Sequence, residues 1–550
     1  GGPVEWIPIR PGTDVAMMLA MAYVIHEAGL HDRVFLDGHC TGFDRFVPYL
    51  TGRDDGQPKT PQWAEAITEV PAQTITALAH DLVRTRSMVT AAWSLQRSHH
   101  GEQTFWMLVT LAAMIGQIGL PGGGFGIGYG AINGIGNVGA RFGGPTLPQG
   151  SNPVEAFIPV ARIADMLERP GESFDYNGRR RTYPRIELVY WAGGNPFHHH
   201  QDLNRLLRAW RRPPAVIVNE QFWTATARLA DIVLPATTTL ERDDIGYSSS
   251  ERYLVAMKRV MPPVGEARDD YDIFAELAGR IGPNARQTFT EGLLSAQWLR
   301  RLYEESRGRA TAVGFEVPAF EAFWERGLVD LAVPGRTQVM LEAFRADPGR
   351  HPLGTPSGRI EIFSERIAGH GYDDCAGHPR WYEPVEWLGS ARARRHPLHM
   401  LSDQPFTKLH SQLDHSAYSR ANKIGGREPI VINAADAAQR GIRDGDLVEV
   451  FNDRGRCLAG ARLSDAIRPG VVKLSTGAWL DPVSWSEPGA LDKHGNPNVL
   501  TLDIGASRLS QGCVAQTCLV DVRRWDGEAP PLTAFEPPSF VRLERSAAGS

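Results

Sequence analysis

The chain has 550 residues, a length that accommodates roughly three to four domains at about 100–200 residues each. Hydrophobic residues make up 42% and charged residues 22%, so large cores can form. A net charge of −5 offers no electrostatic case for nucleic acid or an anionic membrane as partner. Five cysteines (Cys40, Cys375, Cys457, Cys513 and Cys518) contain no C-x-x-C pair, which argues against a disulfide framework and carries no zinc or iron–sulfur signature.

The first residues, GGPVEWIPIRPGTD, have neither a basic n-region nor an apolar h-region, so they do not read as a signal peptide; they read like the middle of a longer protein. VAMMLAMAYVIHEAGL, 15–30, has helical periodicity up to Gly29, and RVFLDG, 33–38, reads as a short connecting strand. SMVTAAW, 87–93, has the length of a buried strand, and a helix follows from about Gly101. The longest apolar stretch, 105–120, is shorter than the roughly 20 residues of a membrane span, so a buried core helix is expected and no membrane insertion. The glycine-rich segment 121–144 repeats G-x-G, but no strand leads into it and no helix opens from it; a loop is expected rather than a dinucleotide fingerprint.

Strands at 186–193, 215–221 and 231–238 alternate with helices at 201–212 and 269–282, the pattern of parallel βαβ units. Ligands of such sheets sit at the carboxyl ends of the strands. Residues 386–550 change to short alternating strands, with a helix capped by Asn433 and ended at Gly441 and turns at Asp444-Gly445 and 452–455, which predicts a barrel-like domain. The expected fold is α/β and multidomain, with parallel doubly wound sheets and a C-terminal β-barrel. The segments are an α/β domain over 1–145, an α/β nucleotide-binding domain over 146–310, an irregular remainder over 311–385 and the barrel over 386–550.

Polar residues gather at the predicted strand ends: Trp93 and Arg97, the GGNPFHHHQD turn at 193–202, Asn219 and Glu220, Arg242, and Asp270 at a helix start. Glycines allow backbone to approach a ligand, helix starts favour phosphate, Arg forks onto phosphate, and Asp accepts from a guanine-type edge. Together they suit a large, phosphorylated, nucleotide-like cofactor; singly each serves equally as a cap, turn or surface ion pair. Three consecutive histidines, 198–200, on an extended or turning segment point in different directions, so a metal site there is disfavoured; a single histidine contacting a ligand and histidines that serve only at the surface or a helix start both remain open.

Segments throughout the chain resemble the molybdopterin oxidoreductases of the dimethyl sulfoxide reductase family, and within it the biotin sulfoxide and trimethylamine N-oxide reductases. They include WIPIRPGTDVAMML (6–19), AAWSLQRSHHGEQ (91–103), YWAGGNPFHHHQDLNRL (190–206), LHSQLDHS (409–416) and GNPNVLTLDIGASRLSQGCVAQT (495–517). The resemblance implies a molybdenum-bis(molybdopterin guanine dinucleotide) cofactor without an iron–sulfur cluster, and oxygen-atom transfer from a small S-oxide or N-oxide with electrons from a separate donor. It assigns Gly12, Thr13 and Asp14 to one cofactor half. Trp93, Ser94 and Arg97 approach the cofactor and the substrate funnel, and Asn195 and His199 line the pterin. Asn219, Glu220, Arg242 and Asp270 hold guanine nucleotide. Ser402, Asp403, Gln404, Pro405, His410, Asn498, Gln516 and Thr517 close over the pterins. Gln404 stands where some relatives carry a histidine. The Ser, Cys or Asp ligand to molybdenum belongs to an N-terminal portion of the family that precedes the matched segments, so no metal ligand is assigned here. The compartment implied is cytoplasmic or periplasmic, with the biotin sulfoxide reductase likeness favouring the cytoplasm. Alternatives are a catalytically inactive fragment or structural subunit that keeps the fold, and another oxidoreductase of the superfamily such as a formate or nitrate enzyme.

Overall fold

The computed structural model describes residues 4–128, 142–154, 156–248, 252–333 and 338–541. The chain forms two compact units whose segments interleave: Gly1–Pro184, Thr237–Leu401 and Thr501–Val520 make the first, and Arg185–Ala236, Ser402–Leu500 and Asp521–Ser550 the second.

In the first unit, the helices Asp14–Glu27 and Gly101–Met114 are apolar on most faces and lie inside one core with Leu19, Ile25, Phe46, Met107 and Leu111 fully buried. The run at 33–38 is a helix, Arg33–His39, and not a strand. Asp32 decides this: its carboxylate accepts the Phe35 N–H at 2.9 Å, and Phe35 and Leu36 then turn together into the core. Six residues are too few for periodicity to separate helix from strand, so the cap and the packing choose. Met88–Ala91 forms a strand, alternately exposed and half-buried rather than buried as expected, and pairs in parallel with Gly124–Ile127, so the start of the glycine-rich segment is a strand rather than loop. Residues 129–141 of that segment lie outside the described residues.

In the second unit, Leu188–Ala192, Ala215–Glu220 and Ile232–Pro235 form a parallel sheet with Ala215–Glu220 central. The helix Leu203–Trp210 is capped by the Asp202 carboxylate, which accepts the Arg205 N–H at 3.0 Å, and buries Leu203, Leu206, Leu207 and Trp210. The C-terminal region contains the expected closed barrel, six strands in the order Leu398–Leu401, Val471–Leu474, Pro429–Ile432, Arg456–Leu463, Leu447–Phe451 and Leu519–Arg524. Closure leaves no strand edge to solvent. Asn433 caps the helix Ala434–Gln439 by accepting the Ala435 N–H at 2.9 Å, and Gly441, at φ 64°, stands just past its end. Among the described residues no helix is long and apolar enough to cross a membrane.

Candidate functional site

The predicted site residues fall on both units. In the first, Gly12 has φ 74° with open space where a Cβ would stand, while Thr13 is buried with its hydroxyl donating to the Arg10 carbonyl at 2.6 Å. Asp14 opens the helix behind them, and burial pushes its carboxyl up from the usual range. Trp93, Ser94 and Arg97 lie on a single 3-10 turn, Trp93–Arg97, just beyond the strand Met88–Ala91. The Gln516 N–H donates to the Arg97 carbonyl at 2.8 Å, and the His99 N–H donates to the Thr517 hydroxyl at 2.8 Å. Trp93 remains 46% exposed.

His99 and His100 follow this turn, tilted against each other with 3.8 Å between centroids, and Tyr382 stacks on His100 at 4.8 Å. Burial lowers both imidazoles to about 4, so both are neutral at pH 7. They line a void of about 20 Å³ with Gly12 and Asp14, enough for about one water. Arg242 and Asp270 sit together elsewhere in this unit, on the wall of a cavity of about 340 Å³ that Tyr271 and Trp298 also line. Arg242 is fixed there by the Thr237 carbonyl at 2.8 Å, and Asp270 is the first residue of the helix Asp270–Ile281.

In the second unit His198 and His199 lie on a short helical turn, Pro196–His199, and His200 follows it in extended conformation. The His198 and His199 rings meet different partners. His198 is fully buried and stacks on Trp479 at 5.4 Å, and neither ring nitrogen has a hydrogen-bond partner. His199 Nε2 meets Ser411 Oγ at 3.2 Å and lies edge-on to His410 at 5.2 Å. Among the described residues no group of three or more His, Cys, Asp or Glu side chains could hold a metal ion. Asn195 is buried; its Oδ1 accepts from the Thr226 hydroxyl, and its Nδ2 has no partner. Gln404 Nε2 meets His410 Nδ1 at 2.9 Å, and the Asp403 carboxylate accepts from Ser475 at 2.6 Å and pairs with Lys473 at 3.1 Å. Ser402 is buried and Pro405 half-buried beside them. The Asn498 amide donates to the His198 carbonyl at 3.2 Å. His199, Gln404 and His410 are thus brought together, with Asn498 tied to the same turn.

Asn219 and Glu220 stand at the carboxyl end of the central strand. Tyr190 donates to Asn219 Oδ1 at 2.9 Å, and Thr224 donates to Glu220 at 2.9 Å.

Sequence reasoning missed the groups that support this unit's loop. Ser411 and Trp479 link the histidine turn to the loop, with Trp479 Nε1 donating to the Ser411 carbonyl at 2.9 Å. Beneath them Lys408, Asp414, Lys423 and Glu428 form a buried ring of ion pairs. Burial alone would raise the Asp414 carboxyl, but the Lys423 and Lys408 ammoniums outweigh it and hold Asp414 well below the carboxylate range. Ser411 and Asp414 lie inside the quoted LHSQLDHS segment, which was the only signal available for them.

Two family models match: molybdopterin oxidoreductase over residues 2–280, and the molybdopterin dinucleotide binding domain over 398–519. The chain belongs to the molybdopterin oxidoreductase family. This molybdopterin oxidoreductase chain is 50% identical to a dimethyl sulfoxide/trimethylamine N-oxide reductase of Cereibacter sphaeroides, over 96% of its own length and 66% of that protein. It is also 50% identical to a biotin sulfoxide reductase of the same organism, over 96% of its length and 70% of that protein. It is 46% identical to trimethylamine-N-oxide reductase 1 of Escherichia coli O157:H7, over 97% and 65%. The chain therefore spans about two thirds of the length of these curated relatives. Among solved structures, acetylene hydratase from Pelobacter acetylenicus superposes with a TM-score of 0.65 at 20% identity, covering 94% of this chain and 71% of that one, a likeness of fold.

Proposed function

We propose that the protein reduces a small S-oxide or N-oxide by oxygen-atom transfer, using a molybdenum-bis(molybdopterin guanine dinucleotide) cofactor. The observation that carries this reading is the meeting of the Trp93–Arg97 turn with Gln516 and Thr517. These positions lie more than 400 residues apart, as the 418-residue step from His99 to Thr517 records, and the family resemblance assigns both to one cofactor.

The residues fit such a group. Asn195 Nδ2 is a buried donor without a partner, a state that costs about 1–3 kcal/mol unless a ligand accepts from it. The cavity of about 340 Å³ at Arg242 and Asp270 has the volume of a small-molecule site, with a guanidinium suited to phosphate and a carboxylate suited to a guanine edge. The first unit's Gly12, Thr13, Asp14, Ser94, Gln516 and Thr517 would hold pterin, and Arg242 and Asp270 nucleotide. The second unit's Asn195, His199, Ser402, Asp403, Gln404, Pro405, His410 and Asn498 would hold pterin, and Asn219 and Glu220 nucleotide.

When bound, the cofactor supplies the two-electron chemistry and accepts the oxygen atom. The chain's part is to orient and to shape access. Arg97 donates hydrogen bonds to the substrate's polarised oxygen, stabilising charge as the S–O or N–O bond breaks, while the half-exposed Trp93 gives an apolar wall that keeps water from the reacting face. Neutral His99 and His100 add no cation of their own beside the Arg97 turn.

Molybdenum-loaded full-length protein should oxidise reduced viologen in the presence of dimethyl sulfoxide, biotin sulfoxide or trimethylamine N-oxide. Absence of turnover with all three by a sample carrying stoichiometric molybdenum and guanine nucleotide overturns the proposal. Arg242→Ala and Asp270→Asn should each lower the guanine nucleotide retained per chain.

A further inference from the structure

The segment 404–418 of the second unit is folded inside out. Its large apolar side chains face solvent, with Phe406 94%, Leu409 64% and Leu413 58% exposed. The side chains turned inward are Lys408, Ser411 and Asp414, all buried. Loops are ordinarily held by the apolar residues they bury, because that burial carries most of the favourable free energy. Here that grip is missing, and the inward grip is ionic.

That grip is a closed ring. Lys408 Nζ lies 3.0 Å from Asp414 and 2.7 Å from Glu428, and Lys423 Nζ lies 2.9 Å from each of the same carboxylates. Two cations face two anions, with every side chain out of solvent. The Trp479 N–H and the Ser419 hydroxyl add hydrogen bonds to Asp414 at 3.1 and 3.3 Å. A buried ion pair adds little stability over well-packed apolar side chains of similar volume, yet it tolerates little displacement, since each charge left unpaired is costly. Such a ring fixes position more than it adds stability.

We propose that the Lys408–Asp414–Lys423–Glu428 ring sets the position of the 402–411 loop, with Lys408 the positioning residue for Gln404, His410 and, through Ser411, His199. The proposal rests on the reading of that loop as facing the pterin. Lys408 stands between Gln404 and His410 in the loop, so its tether governs both, and Ser411 carries the constraint to His199 Nε2 at 3.2 Å.

The test is amide hydrogen exchange on the intact chain carrying Lys408→Met with Glu428→Gln. This pair of changes keeps the buried charge balanced, because Lys423 remains 2.9 Å from Asp414. Amides of 402–411 are expected to exchange at least about tenfold faster, while the barrel strands Pro429–Ile432 and Arg456–Leu463 stay within about twofold. Lys473→Met, which removes only a half-exposed partner of Asp403, should leave the loop within about twofold. If loop and strands accelerate together, the ring is a general prop of the barrel and the proposal falls; it falls also if the loop does not accelerate. Should the double variant fail to fold, Glu428→Gln alone must accelerate the loop measurably, and no change overturns the proposal. In full-length protein, the double variant should retain at most about a third of the wild-type molybdenum and guanine nucleotide per folded chain; unchanged retention with a faster loop overturns the positioning role. A wild type that holds neither refutes the functional reading, and the exchange result then still decides whether the ring locks the loop.

Discussion

Gly477 offers a local measurement of how tightly the 402–411 loop is held. It sits at φ 93°, and a Cβ built there would stand 1.8 Å from the His410 carbonyl oxygen and 2.5 Å from its carbon. Gly445, in the same unit at φ 84°, has nothing within 4 Å of the same atom. Alanine at either position meets the left-handed backbone penalty of about 1–2 kcal/mol. Only at 477 must the neighbouring backbone also retreat by more than about 1 Å, which adds about 2 kcal/mol or more because overpacked backbone moves less readily than a flexible side chain. Gly477→Ala is therefore expected to destabilise by about 3–5 kcal/mol and Gly445→Ala by about 1–2 kcal/mol. A chain of two compact units need not unfold in one step, so the assay is native-state exchange of the strand amides Val471–Leu474 and Leu447–Phe451, backed by urea unfolding. Equal effects at the two glycines would refute the close approach of Gly477 to His410. A Gly477→Ala effect that is large in urea but silent in the exchange of loop and strand would refute the assigned mechanism.

Arg162 spans two buried carboxylates, Asp165 at 2.6 Å and Asp503 at 2.9 Å, so Arg162→Met should cost about 3–5 kcal/mol in urea unfolding, while a loss below about 1 kcal/mol contradicts the bridge. His99, His100 and His399 are each lowered to about 4 by burial, so the folded state binds fewer protons than the unfolded chain between about pH 4 and 6.5. Their contribution is complete above pH 6.5 and is lost as pH falls toward 4, by at most about 3 kcal/mol per ring, and less for His99 and His100, which keep some solvent contact. The melting temperature should accordingly fall over that window and fall less in a His99→Gln/His100→Gln variant; identical pH profiles contradict the assignment. Asp202→Ala removes the cap of Leu203–Trp210, and a loss of about 1 kcal/mol is expected by urea unfolding, recovered in part by Asp202→Asn.

What could be read from the chain was local. The helix at 14–27, the βα alternation around 186–221, the Asn433 cap and the turns of the barrel all depend on residues within a few positions of each other, where period and capping chemistry act directly. The strand ends that carry Asn195, Asn219 and Arg97 followed from the same alternation, and the family likeness then linked distant segments that no local rule connects.

Other outcomes depended on partners far away in sequence. The run at 33–38, capped locally by Asp32, became a helix because a core built from distant segments receives Phe35 and Leu36. Gly124–Ile127 became a strand because Met88–Ala91 lies alongside to pair with it. The apolar pattern of 404–413 suggests nothing of its inversion, since Lys408 and Asp414 are typical surface residues until Lys423 and Glu428 close the ring around them. By itself the sequence determined the family, the element types and the candidate residues, because these are written in short-range spacing and segment likeness. Only the tertiary structure decided which charges are buried, which histidine meets Ser411 and which loop is held by ions rather than by apolar packing. Burial and long-range pairing are properties of neighbours in space, and a buried charge is tolerated only where its counter-charge is brought to it.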